Sequence, residues 1–423
     1  MNDYLVHDTL YAENGGFLPK EGGSSNILLK KRYSGMVCCP GPTHRRPGAM
    51  YPRCILLAHN GEKNGTLLAT MEWYDEKNPV FPIYESTDQG RSWHFLSSLA
   101  GDAVEAGCRF QPHLFELPCD MGDLKEGTIL CAGNIIPGDF SSTALWLYKS
   151  GDGGKSWEFV SEILQGGKAT PDYKMGRPVW EPFLLQSPEG KLYCYYSDER
   201  YKEKGYNQLL AHKVSADGGY TWGEEKVDVA FADGKLRPGM PIVEYLPDGR
   251  FIMVYEMVNE DRIPVYFRIS DSMDDWGSPD FMGNPVIAAD GSYPTGTPYV
   301  LWIPKGGEKG TLLVSGRGYS HIFANSYMGE GFWEKMDALV DIDNNYNFTG
   351  YSQCMIALQG GSRILNLCPR QISPEQALVE AAVADATFAV NAMQNMPVSF
   401  PVAFDIEDAV HKPLTPQQQQ EIV

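Results

Sequence analysis

Positive charge is scarce in this chain: 35 Lys and Arg stand against 54 Asp and Glu in 423 residues, a formal net charge of −19. A field of that sign repels phosphate backbones and anionic lipid, which points away from nucleic acid and membrane as partners. Long apolar runs are missing too. None approaches the roughly 18 residues of a membrane-spanning helix. The opening stretch MNDYLVHDTLYAENGG has neither a basic nor an apolar segment, so no secretory leader is expected. The eight His show no metal-ligand spacing, and HExxH, GxSxG and a Gly-rich dinucleotide loop are absent. Gly153–Ser156 (GGKS) ends like a phosphate loop, but Lys149 stands where that loop needs Gly. Neither a metal nor an organic cofactor is expected. There is no Cys-x-x-Cys pair. The nine Cys are an odd number, and most lie in apolar, strand-like runs. They read as buried free thiols in a reducing compartment, so a cytoplasmic protein is expected, the alternative being a secreted or periplasmic one whose leader has been removed.

What the chain does have is turns, aromatics and repetition. Gly (44) and Pro (29) are plentiful without reaching the level of a disordered chain, and aromatics make up 12%. The pattern Ser-x-Asp-x-Gly-x-Ser/Thr-Trp occurs at Ser86–Trp93, Ser150–Trp157 and Ser215–Trp222, with Asp-to-Asp spacings of 64 and 65. A shortened fourth copy is SMDDW at Ser272–Trp276. Each reads as a hairpin turn: the Asp side chain caps it, Gly supplies positive φ and Trp packs beneath. These residues hold blades together and do no chemistry.

A second repeat covers more of the chain. Strands beginning YPRCILLA, FQPHLFEL, WEPFLLQS, GMPIVEYL, GTPYVLWI and GYSQCMIAL are each followed by a turn glycine and another β-prone strand. Five carry a proline (Pro52, Pro112, Pro182, Pro241, Pro298), and Ser352 takes its place in the sixth, at spacings of 60, 70, 59, 57 and 54. Six antiparallel units of this length predict an all-β, six-bladed β-propeller of sialidase-like, Asp-box type. One propeller domain is expected over residues 1–390, with a C-terminal tail over 391–423. ALVEAAVADATFAV is assigned to outer strands of the last blade, and Leu5–Ala12 to the segment that closes the ring.

In a propeller the first strand of each blade lines the central channel, so residues at one end of these strands converge on a pocket. The position before the proline reads Tyr51, Gln111, Glu181, Met240, Thr297 and Tyr351. Seven residues after each turn glycine come Glu72, Asn134, Ser197, Glu256, Arg317 and Cys368. Arg53, Trp73, Arg109, Trp180, Tyr196, Asp198, Glu199, Arg237 and Tyr255 lie nearby. Carboxylates, amides, arginines and aromatics in one ring suit a sugar, whose faces stack on aromatics and whose hydroxyls need fixed polar partners. Glu181 (VWEPF) and Glu256 (VYEMV) sit among apolar neighbours, where burial raises a carboxyl pKa. Paired carboxylates across a pocket are the apparatus of glycoside hydrolysis. A salt-bridged strand end is the plainer reading of either one alone. Tyr351 is either a packed aromatic or a hydrogen-bond donor at the reacting centre. The remaining candidates for substrate binding are Arg53, Glu72, Trp73, Arg109, Gln111, Trp180, Asp198, Arg237 and Arg317. The expected partner is an oligosaccharide or polysaccharide, and the expected state a monomer.

WEPFLLQSPEGKLYCYYSDE, RPGMPIVEYLPDGRFIMVYE and the later TGYSQ resemble glycoside hydrolase family 93, the exo-1,5-α-L-arabinanases, over roughly Tyr51 to Leu367. The resemblance implies a six-bladed propeller and a retaining mechanism that releases arabinobiose from the non-reducing end of linear arabinan. It places the catalytic glutamates at Glu181 and Glu256, with Glu256 favoured as nucleophile, and an active-site tyrosine at Tyr351. Two alternatives stand beside it. A sialidase would need Arg53, Arg268 and Arg317 on a substrate carboxylate, Tyr351 with Glu256 as nucleophile pair, and Asp75 as acid. A non-catalytic glycan- or protein-binding propeller would need neither glutamate.

Overall fold

The computed structural model describes residues 27–388, except 42–46, 76–78, 101–105, 171–174, 259–262, 318–320, 338, 341–348 and 374–375. Apart from short 3-10 turns its regular elements are strands. β1 (Ile27–Cys38) precedes the first blade, which is β2 (Ala49–Leu56), β3 (Leu67–Trp73), β4 (Val80–Ser86) and β5 (His94–Ala100). The second is β6 (Ala106–Glu116), β7 (Ile129–Pro137), β8 (Thr143–Ser150) and β9 (Glu158–Gly166). The third is β10 (Val179–Gln186), β11 (Leu192–Asp198), β12 (Leu209–Ser215) and β13 (Lys226–Ala230). The fourth is β14 (Arg237–Tyr245), β15 (Phe251–Val258), β16 (Val265–Ser270) and β17 (Asn284–Pro285). The fifth is β18 (Thr295–Ile303), β19 (Thr311–Arg317), β20 (His321–Asn325) and β21 (Glu334–Asp337). The sixth is β22 (Cys354–Leu358), β23 (Arg363–Ser373) and β24 (Gln376–Phe388), with β1 as its fourth strand.

Every blade is an antiparallel four-stranded sheet, and β2, β6, β10, β14, β18 and β22 adjoin in a ring. The six-bladed propeller read from the repeat is therefore the fold. Burial explains the strand compositions. Inner strands such as β10 and β11 are packed on both faces and are almost wholly buried, so their sequences run apolar. Outer strands such as β5 and β9 alternate with solvent on one face. ALVEAAVADATF is a strand, as expected, within β24. The ring is closed by Ile27–Cys38, whose register runs from Ile27 opposite Phe388 to Cys38 opposite Val379. Leu5–Ala12, assigned to that closure from sequence, and the tail 391–423 lie outside the described residues. All nine cysteines are free, and seven are buried.

The Asp turns join the third and fourth strands of the first three blades, at the rim. In each, the first Ser Oγ and one or two backbone N–H groups serve one Asp, as with Ser86, Arg91 and Ser92 on Asp88. The turn also clamps the preceding blade: Trp157 Nε1 donates to Ser97 Oγ, which donates to the Gly154 carbonyl. Trp222, Ser161 and Gly219 repeat the clamp one blade on. The fourth copy is built differently, with the buried Arg268 guanidinium holding the carbonyls of Asp228, Trp276 and Ser278 in place of an Asp cap. Blade five has a degenerate turn that motif matching missed. Asn325 Oδ1 accepts from Tyr327 and Gly329, Met328 takes the positive φ of Gln89, and Trp333 is buried beneath.

Candidate active site

One backbone device organises the mouth of the channel. Near the start of each inner strand a single non-glycine residue has left-handed φ: Tyr51 (51°), Gln111 (56°), Glu181 (62°), Met240 (55°), Thr297 (44°) and Ser352 (53°). In the first five blades the strand register slips at this point, the signature of a bulge. In those blades the next residue is the repeated proline, which restricts its predecessor and lacks an N–H for the ladder. The sixth blade corrects the sequence alignment by one residue. Ser352, not Tyr351, occupies the bulge, and Gln353 stands where the others have proline. Without proline to mark the register, the sequence offered no anchor there.

A bulge turns its N–H out of the ladder, and each such N–H needs an acceptor. The preceding blade supplies it. Gln111 N donates to Glu72 Oε1 (3.1 Å), and Glu181 N to Gln111 Oε1 (3.1 Å). Met240 N donates to Glu181 Oε2 (2.7 Å), Thr297 N to Glu256 Oε2 (2.7 Å) and Ser352 N to Thr297 Oγ1 (3.0 Å). Arg53 then closes the circuit, donating to Ser352 Oγ (3.0 Å) and to the Ser352 carbonyl (3.2 Å). Three carboxylates are thus brought to one mouth by backbone need.

Their oxygens are used differently. Glu72 has both engaged: Oε1 by Gln111 N and Oε2 by the Tyr74 hydroxyl (2.9 Å). Glu181 has only Oε2 engaged, by Ser197 Oγ (2.5 Å) and Met240 N. Glu256 has only Oε2 engaged, by Thr297 N. Among the described residues nothing holds Oε1 of Glu181 or Glu256. Two glycines make room for Glu256: a Cβ on Gly239 would stand 3.2 Å from its Oε1, and one on Gly296 3.1 Å from its Oε2.

Burial pushes Glu72 and Glu181 up to about 7. For Glu181 the charge of Glu256 adds to this, while Ser197, Met240 and Arg237 oppose it. Burial also raises Glu256, against the Thr297 N–H and the charges of Arg237 and Arg317. Tyr351 keeps its proton far above the usual phenol range through burial and the fields of Glu256, Glu72 and Glu181. The Arg317 guanidinium stands 5.5 Å from the Tyr351 ring centre. Arg237 is oriented through one terminal nitrogen, which donates to Glu199 Oε1 (2.8 Å) and Gln208 Oε1 (2.6 Å). Glu199 also takes Trp180 Nε1 (2.9 Å).

Beside Glu72, Gln111 and Glu181 the wall is aromatic. The Phe110 ring lies 5.7 Å from Tyr74, 6.3 Å from Phe140 and 6.4 Å from Trp180, and all four are half-buried. Arg109 belongs here, its guanidinium 5.7 Å from the Phe140 ring centre and its Nε on the Ile136 carbonyl. Three expected substrate contacts are committed elsewhere. Asp198 alternates with Ser197 along β11 and is tied to Arg200 through both carboxylate oxygens. Trp73 alternates with Glu72 along β3 and packs on the hydrophobic core. Arg53 is buried in ring closure. Sequence reasoning left Ser197, Glu199, Asn134 and Tyr74 out of the chosen site, along with Gly239, Gly296 and Gln208. For Ser197 and Asn134 the repeat position was the available signal, and for Gly239 and Gly296 it was their place two residues before the repeated proline.

No family model matches the chain, and no curated protein does. Solved structures do. A Penicillium chrysogenum α-L-arabinanase complexed with arabinobiose is 35% identical with a TM-score of 0.75, covering 84% of this chain and 98% of that one. The glycoside hydrolase family 93 α-L-arabinofuranosidase of Fusarium graminearum, with arabinobiose, is 33% identical with a TM-score of 0.74 over the same shares. The chain belongs to glycoside hydrolase family 93. It is a glycoside hydrolase, and the expected membership holds. A Hadza microbial sialidase, 14% identical with a TM-score of 0.52, shares the fold alone. The sialidase alternative also fails on geometry. Arg53 and Arg268 are both buried and bonded to the protein's own oxygens, so the three arginines do not assemble on a ligand.

Proposed function

We propose that this family 93 hydrolase releases arabinobiose from the non-reducing end of α-1,5-linked L-arabinan or arabino-oligosaccharides with retention, Glu256 acting as nucleophile and Glu181 as acid/base. The observation that carries the pair is oxygen usage. Three carboxylates share the mouth, and Glu181 and Glu256 alone keep an oxygen uncommitted. Their neighbours support this order. Arg237 favours ionisation of both glutamates, and Arg317 favours an ionised Glu256, suited to attack. Glu256's charge favours a protonated Glu181, suited to give its proton to the leaving oxygen.

In the first half-reaction Glu256 Oε1 forms a bond to the anomeric carbon as the glycosidic C–O bond breaks, and the proton of Glu181 goes to the departing oxygen. Water then attacks the same carbon, Glu181 takes its proton and the glycosyl ester breaks, giving net retention. Tyr351, protonated among three carboxylates, offers its hydroxyl to the reacting centre or to Glu256. Arg109, Gln111, Trp180, Arg237 and Arg317 bind sugar, Trp180 by its face and the others by hydrogen bonds. Glu72 holds Gln111 in place. The free thiols support a reducing, cytoplasmic setting, in which a monomer acts on short oligosaccharides.

The test is product analysis on reduced linear α-1,5-arabino-oligosaccharides, with the anomeric configuration followed by NMR. Arabinobiose as first product, in the configuration of the substrate, supports the reading. Arabinose alone removes the release of a disaccharide, and inverted product removes Glu256 as nucleophile.

A further inference from the structure

We propose that Gln111 is the positioning residue of the acid/base, and that its amide ties Glu181 to bound substrate. The proposal rests on the assignment of Glu181 as acid/base above. Glu181 carries its carboxyl on a residue in left-handed backbone conformation, which a non-glycine residue holds only where its surroundings enforce it. The enforcing contact is Gln111 Oε1 on Glu181 N (3.1 Å). Gln111 is itself fixed twice. Its own bulged N–H is held by Glu72 Oε1 (3.1 Å), and its Oε1 also accepts from Asn134 Nδ2 (3.2 Å). Asn134 in turn donates to the carbonyl of Val179, two residues before Glu181 on β10 (2.8 Å). Asn134 is fully buried and Gln111 nearly so, leaving little room for another rotamer.

Two N–H donors on one oxygen settle which way the amide faces. Oε1 is turned into the protein, so the planar amide presents Nε2 on its other side. Among the described residues no protein group takes that NH2. A sugar hydroxyl is the partner of matching chemistry, in a mouth that already holds an aromatic wall beside Gln111. Substrate bound there pulls on the same rigid amide that holds the Glu181 backbone. The acid/base is thereby held most firmly when a leaving group is present to be protonated.

The same kind of capture occurs at other bulges, so a purely architectural role is the competing account. Leaving-group dependence separates the two. Protonation by Glu181 matters for a sugar leaving group and little for an aryl group that departs as a stable anion. Gln111→Met removes the acceptor at similar size, and Gln111→Glu restores it. We compare kcat and KM of each, with Thr297→Val as a capture removed on the far side of the nucleophile, on arabinotriose and on dinitrophenyl arabinobioside. Gln111→Met is expected to lose about 30- to 100-fold in kcat/KM on the oligosaccharide, in the range of general-acid contributions, and less than about fivefold in kcat/KM on the aryl glycoside, whose kcat also reports the deglycosylation that Glu181 serves as base. Gln111→Glu keeps the acceptor but lacks the NH2, so it is expected to remove the leaving-group split while keeping a loss in kcat/KM common to both substrates. Thr297→Val is expected to lose the same factor on both. Equal losses on both substrates for Gln111→Met overturn the proposal. Glu181→Gln is run alongside: if its kcat/KM too falls equally on both, the acid/base assignment has failed. If it shows the leaving-group split and Gln111→Met does not, this proposal alone has failed. Should Gln111→Met misfold, Asn134→Leu tests the same amide from its other donor, with the same split expected.

Discussion

Blades one to three and blades four and five carry the same bulge at the mouth and dress it in opposite ways. The residue before the bulge is Met50, Phe110 and Trp180 on the first side, and Gly239 and Gly296 on the second. The large side chains build an apolar and aromatic wall. The glycines leave a slot, and Glu256 fills it with an oxygen that no group among the described residues takes. On the walled side Glu72 occupies the same repeat position as Glu256, yet both its oxygens are engaged and Tyr74 stands over it. Two carboxylates at equivalent positions therefore differ in availability, and the difference comes from neighbouring side-chain volume and one phenol.

The largest expected effect is at the slot's occupant and its partner. Glu256→Gln and Glu181→Gln are expected to lower kcat on arabino-oligosaccharides by about 10³-fold or more, whereas Glu72→Gln loses about tenfold or less. A loss at Glu72 matching the other two would erase the distinction drawn from oxygen usage. Filling the slot comes next. Gly239→Ala sets a Cβ 3.2 Å from Glu256 Oε1 and 2.8 Å from Gln208 Nε2, and should lower kcat by about 10- to 100-fold, because reacting groups tolerate little displacement. Steady-state kinetics beside an unchanged circular dichroism spectrum check it. Tyr351→Phe should cost about tenfold, since the hydroxyl is lost while the ring that faces Arg317 stays.

The pH dependence sharpens the contrast further. Glu181 must be protonated to act first, and it sits at about 7, so kcat/KM should fall as pH rises through that value. Ionisation of Glu256, raised from 4.5, sets the acidic limb. For stability the sign is that of a carboxyl raised on folding. Glu72 binds its proton more tightly folded than unfolded, so its contribution is fully present below 4.5 and is lost as pH rises through about 7. Glu72→Gln should then raise Tm at pH 8 by about 1–3 °C, with the gain vanishing near pH 4. An unchanged difference across that range would mean that folding does not shift the Glu72 carboxyl from its ordinary value. The smallest effect on turnover is expected at the rim. Asp152→Ala removes the acceptor for Ser150, Lys155 and Ser156 and should lower Tm by about 2–4 °C with kcat within twofold.

Much of this was legible in the chain. Periodic prolines, turn glycines and three Asp turns specify six blades, because each feature is a local backbone requirement that recurs wherever the local conformation recurs. The same periodicity brought Glu181 and Glu256 to one mouth before any coordinates. It failed at Ser352, where the proline is missing, and at the turn around Asn325, where Asn stands in the place of the first Ser and Tyr327 in that of the Asp. It also failed for Asp198, Trp73 and Arg53. Their neighbours in sequence are site residues, but strand alternation and ring closure send them to the core, to Arg200 and to Ser352.

By itself the sequence determined the blade number, the strand order within each blade and the repeat positions that converge at the mouth, since these follow from local turn and strand chemistry. Only the tertiary structure decided which bulge N–H each carboxylate serves, which oxygens remain uncommitted and where glycine leaves space. Those depend on contacts between blades whose residues lie tens of positions apart, and a one-residue shift of register reverses which face a side chain meets.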